Sequence, residues 1–127
     1  MRRSAVSAFI EAPRRVFSRM THGTVERPCS QGRSRTMKRA YLDTSAGQIH
    51  LYEHGRGEAV LMLHETPRSA RSFAPLMERM GGKFRCIAPD NPGFGMSDPL
   101  PANFTMERLA DLMIELLDQL GIARAHL

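Results

Sequence analysis

Tryptophan is missing from this 127-residue chain, and tyrosine and cysteine occur only twice each. Two cysteines, Cys29 and Cys86, cannot build the disulfide framework of a small secreted domain, so a reducing, cytoplasmic setting is expected. The longest apolar run, Ala59 to Leu63, is five residues, against the roughly 20 that a membrane-spanning helix needs. Near the N-terminus SAVSAFI is too short and too broken by serine for a secretory core, and Glu11 follows at once. Arg14, Arg15 and Phe17 resemble a twin-arginine signal, but polar residues come next; an Arg- and Ser-rich mitochondrial presequence is the other targeting signal the composition allows. Metal ligation finds no cluster. His50 and His54 share one side of a predicted strand, but four residues of strand separate them by roughly 13 Å, too far for one ion. There is no internal repeat and no low-complexity segment.

What is abundant is positive charge, and it is unevenly placed. Residues 1–40 hold ten Lys or Arg against two acids, and residues 41–127 hold eight against eleven, so +8 and −3 make up the net +5. A basic leader of this kind offers non-specific attraction to nucleic acid, but only Phe9 and Phe17 give bases a stacking surface, and a solvated leader is the expected reading. Residues 1–36 have no sustained period, contain Pro13, Pro28, Gly23 and Gly32, and are expected to be disordered. The composition changes at Met37, which is the expected start of the folded unit, 37–127, and of translation of the working protein.

From there the chain alternates strands and helices. Lys38–Asp43 and Gln48–Glu53, joined by Ser45-Ala46-Gly47, predict a hairpin in which Ile49 and Leu51 are buried and His50 and Tyr52 face water. Ala59–Leu63 does not alternate with polar residues, which predicts a strand covered on both faces. Pro67 ends its pairing potential. Phe73, Leu76, Met77 and Met80 then form a helical stripe, with Pro75 tolerated in the first turn and Gly81-Gly82 at the end. Phe84–Pro89 is a further strand, parallel to the preceding one because a helix joins them. After the turn-rich DNPGFGMSDPLP, Thr105 caps a long helix. Its stripe reads Met106, Leu109, Met113, Leu116 or Leu117, and Leu120; Glu107 suits its dipole and Gly121 closes it. Ala123–Leu127 begins a fifth strand. The fold class is therefore α/β, and in such folds ligands bind where strands empty into loops.

Two motifs stand at those strand ends: His64-Glu65-Thr66-Pro67 after the buried strand, and Asp90-x-Pro-Gly93-x-Gly95-x-Ser97-Asp98 after the next. In this order, between a hairpin and a long helix, they make residues 38–127 resemble the N-terminal part of an α/β-hydrolase, cut at the fifth strand. The resemblance implies that the first loop, usually HGxP, carries half of an oxyanion hole through a backbone amide, here that of Thr66. It implies that His64 shapes the loop and is not the catalytic base. Glu65 departs from the family's glycine; it either narrows the pocket or points to solvent, and solvent is the expected reading. Asp90, Gly93, Gly95, Ser97 and Asp98 are implied to be a structural turn. Gly93-Phe94-Gly95 lacks the third glycine of a dinucleotide loop, since Asp98 occupies its place.

No triad follows from His64, Asp90 and Ser97. The family's nucleophile sits in GxSxG after the fifth strand, and Ser97 lies in GMSDP. No catalytic residue is therefore assigned, and no cofactor or metal is implied. The expected function is that of a hydrolase fragment for an ester, amide or related small molecule, inactive alone. Whether the parent is an esterase, epoxide hydrolase, dehalogenase or carbon–carbon hydrolase stays open. The alternative is a non-catalytic product that binds a partner along an exposed sheet edge or, through its leader, nucleic acid. Neither a membrane contact nor a given oligomeric state is implied.

Overall fold

The computed structural model describes residues 9–11, 36–100 and 102–127. The rest of the leader, and with it the expectation of disorder, lies outside the described residues. Among the described residues a six-stranded mixed sheet carries one α-helix on each face. Its strands are β1 (Phe9–Glu11), β2 (Lys38–Thr44), β3 (Gly47–Gly55), β4 (Glu58–Leu61), β5 (Phe84–Pro89) and β6 (Arg124–His126). They lie side by side in the order β1-β6-β4-β5-β3-β2. The hairpin β2/β3 joins β5 antiparallel, whereas β4 runs parallel to both β5 and β6. This is the α/β arrangement the element order implies, with one helix crossing from β4 to its parallel neighbour β5 and another leading from β5 to β6 on the far side of β4.

Helix α1 (Ala74–Met80), preceded by a 3-10 turn at Ala70–Phe73, covers one face, and α2 (Met106–Gln119) covers the other. Under α2 lies an aliphatic core in which Ile49, Leu51, Leu61 and Ile87 of the sheet meet Leu112, Met113, Leu116 and Leu117. Thr105 caps α2 by accepting from the Arg108 N–H at 3.4 Å. At the far end Gly121, at φ +67°, lets Ile122 N–H reach Leu117 O at 2.9 Å and Gly121 N–H reach Asp118 O at 3.0 Å. That paired closure drops Ile122 back onto Leu117. Glu115 holds the hairpin turn through the Ser45 N–H and hydroxyl, and Gln119 Nε2 donates to Asp43 O.

Several expectations are corrected. Within the α2 stripe Leu112 is buried and Met106, 75% exposed, is not, because the first turn projects past the sheet. In the first helix Leu76 is exposed: the 3-10 turn, with three residues per revolution, puts Ala70, Phe73 and Met77 on the sheet and turns Leu76 away. Strand β4 ends at Leu61, two residues short of the apolar run, and Leu63 is exposed. The side of the hairpin expected to face water is covered, with His50 and His54 both buried. Finally, Phe9–Glu11 is a strand antiparallel to β6. An uncovered edge presents main-chain groups that any extended segment can pair, so no side-chain pattern announces it.

Candidate functional site

Past Leu61, Met62 N–H still donates to Ile87 O at 2.8 Å, and then the ladder gives way to a side chain. His64 is buried, and its Nε2 accepts the Asn91 N–H at 3.0 Å while Nδ1 lies 3.2 Å from Glu65 O. A main-chain N–H can only donate, so Nε2 is the unprotonated nitrogen and Nδ1–H donates to the carbonyl. Asn91 Nδ2 adds a bond to His64 O at 3.2 Å, and the Phe94 ring packs edge-on against the imidazole. Both ring nitrogens are thus engaged, Nδ1 within its own loop and Nε2 in joining the two strand-end loops.

The loop itself closes as a turn, with Arg68 N–H on Glu65 O at 2.8 Å and a cis Thr66–Pro67 peptide at its tip. Thr66 and Pro67 are exposed, and among the described residues the Thr66 N–H has no acceptor. The Glu65 carboxylate points outward and pairs with Arg68 Nε at 3.1 Å, both side chains being mostly solvent-exposed. Such an exposed pair contributes little, about 0–1 kcal/mol.

Asp90 is the hub of the second motif. It is 2% exposed, yet its carboxylate has three donors: Ala70 N–H to Oδ1 at 2.6 Å, and His50 Nδ1 and Met96 N–H to Oδ2 at 2.8 and 3.0 Å. One side chain therefore anchors the segment after the first loop, the hairpin strand β3 and its own turn. A buried carboxylate is tolerable only when so satisfied. Gly95 must be glycine here: a Cβ would stand 2.1 Å from Asp90 Oδ2, and φ is +56°. Ser97 Oγ accepts the His50 N–H at 2.9 Å and donates to Asp90 O at 2.7 Å. Asp98 and Gln48 exchange bonds, Gln48 N–H to Asp98 Oδ2 and Asp98 N–H to Gln48 O, while Gly93 N–H closes onto Asp98 O.

These contacts exclude the triad of His64, Asp90 and Ser97. Asp90 orients His50 and not His64, and the Ser97 proton goes to a carbonyl. His50 is the residue that sequence reasoning missed; its tilted and edge-on contacts with Tyr41 and Tyr52 place it in an aromatic row, 40 positions from its carboxylate. Burial pushes the Cys86 thiol up from its ordinary value, which leaves it protonated and unreactive at neutral pH. Among the described residues no group of His, Cys, Asp or Glu could hold a metal ion, and no helix is long and apolar enough to cross a membrane.

From within β3 onward, through the proline-ended loop and the glycine turn, residues 51–127 match one family's model, the α/β hydrolase fold. The chain belongs to the α/β-hydrolase fold family. Among curated members it is 32% identical over 85 residues to haloalkane dehalogenase 2 of Mycobacterium tuberculosis, covering 66% of this chain and 30% of that protein. With epoxide hydrolase 2 of Siraitia grosvenorii it shares 37% identity over 91 residues, covering 68% and 28%. Among solved structures, an N-acyl homoserine lactonase, AidH, superimposes with a TM-score of 0.65 at 42% identity, covering 69% of this chain and 34% of that one. The chain thus spans about 30% of the length of the curated α/β-hydrolases it matches.

Proposed function

We propose that this chain forms the oxyanion-loop side of an α/β-hydrolase site for a small ester or lactone, with the Thr66 main-chain N–H as the donor. The observation that carries the reading is that N–H itself, exposed at the tip of a loop whose flanks are pinned by His64 and by Asp90, and without an acceptor among the described residues. A donor held in place beforehand stabilises developing negative charge without reorganising, and removing one such donor costs about 10²–10³ in turnover. The 42% identity to a lactonase favours ester-type bonds over the carbon–halogen and epoxide bonds named for other relatives. The sequence contains no GxSxG, so the 127-residue chain alone is proposed to be inactive.

Two assays test this. Purified chain should not hydrolyse N-hexanoyl homoserine lactone or a generic aryl ester; turnover abolished by changes within the chain would refute inactivity. In a chimera in which residues 38–127 replace the matching part of AidH, Thr66→Ala should retain lactone hydrolysis and Thr66→Pro, which removes the N–H, should lose it. Equal rates for the two variants would refute the assignment of the amide.

A further inference from the structure

A recess of about 460 Å³ opens on the α1 face of the sheet, lined by Arg39, Tyr41, His50, Tyr52, Ser69 and Arg71, with Asp90 at its floor. None of its walls comes from the His64–Pro67 loop, and the loop's proposed role needs none of them. Cross-strand pairing explains the grouping, since Arg39 stands opposite Tyr52 and Tyr41 opposite His50 in the β2/β3 ladder. Residues paired in this way project to the same side. We propose that the recess binds a small oxyanion that carries an O–H beside its charge, a hydrogen phosphate or a hydroxycarboxylate.

Three features specify that chemistry. First, the charge balance is positive. Asp90 is the only acid among the lining residues, and its oxygens are already taken by Ala70 N–H, His50 Nδ1 and Met96 N–H. Arg39 and Arg71 have no carboxylate partner among the described residues. The Tyr52 ring beneath the Arg39 guanidinium, 5.5 Å from centroid to Cζ, holds that charge at the mouth. Guanidinium groups are the side chains best shaped for carboxylate and phosphate oxygens.

Second, His50 is 2% exposed and its Nδ1–H is spent on Asp90; in the neutral ring this leaves Nε2 as an acceptor, and Nε2 has no partner among the described residues. Among the described residues nothing donates to it, which leaves the place to an occupant of the recess or to solvent. An O–H on the ligand donates there, which a simple carboxylate lacks. Third, the Tyr41 and Tyr52 rings stand on either side of the imidazole with centroids 5.0 Å away, fixing its plane and walling the recess.

The test is titration of the full 127-residue chain with inorganic phosphate, glycolate and acetate, followed by isothermal calorimetry and by the ring 15N resonances of His50. Saturable binding of phosphate or glycolate, at least tenfold tighter than acetate and weakened at least tenfold in R39Q/R71Q, supports the site; the tighter of the two separates a phosphoryl from a hydroxy-acid ligand. Because both arginines are on the surface, that variant should unfold at the same urea concentration as the parent. Binding of acetate as tight as glycolate would overturn the role of the O–H. No saturable binding, or binding indifferent to R39Q/R71Q, would overturn the site.

Discussion

The two faces of this one sheet are built by different physics. Under α2, Ile49, Leu51, Leu61 and Ile87 meet leucines, and the face is held by area removed from water. Under α1, the same strands present His50, His54, Tyr52 and Cys86, and the apolar contribution comes from Met62, Ala70 and Met77. That second face adds hydrogen bonds to its packing, and it is the one that reaches the strand-end loops through Asp90. Apolar burial is non-directional and supplies stability without aiming anything. A three-donor carboxylate fixes angles, at the risk that losing one member strands the rest.

Removing Asp90 should break the comparison most heavily. Asp90→Ala leaves His50 Nδ1, Ala70 N–H and Met96 N–H without their acceptor, and we expect a loss of about 3–5 kcal/mol in urea unfolding, as for a broken buried pair. On the other face, Leu116→Ala should cost about 2–5 kcal/mol by opening a cavity, with no change in the ring 15N shifts of His50 or His64. Equal disturbance of those shifts by both substitutions would mean that the faces are not separable.

Gly95→Ala sharpens the contrast at one atom. The added methyl meets the Asp90 carboxylate and sits at positive φ, so about 1–3 kcal/mol of destabilisation is expected, together with a displaced Met96 amide resonance. Much of the fold was legible before any coordinate: Phe84–Pro89 as a strand, Thr105 as a cap, Gly121 as a terminator and the parallel pairing all follow from period and local chemistry. The partner of Asp90 was not, because His50 reaches it only through the β3/β5 register, and periodicity tells which residues share a side without telling what covers that side. Leu76 and Met106 fail for a related reason, since a 3-10 start and a projecting first turn shift the phase of an otherwise correct stripe.

The smallest effect should come from Glu107→Gln. The Thr105 hydroxyl and its own main-chain N–H hold the Glu107 carboxyl below its ordinary value. A lowered value means that the ionised form is favoured by folding, so its contribution is present at neutral pH and fades as the pH falls through that lowered value. The melting temperatures of parent and variant should therefore differ slightly at neutral pH and converge in acid.

The most direct test of a polar device aiming the loops is amide hydrogen exchange on the parent and on Asp90→Asn. Our account predicts that the variant, with one acceptor oxygen where the carboxylate has two, loses protection at Ala70 or at Met96 while the amides of Leu116 and Leu117 in α2 keep theirs. Protection that falls uniformly over both faces, or that survives at Ala70 and Met96, would contradict it.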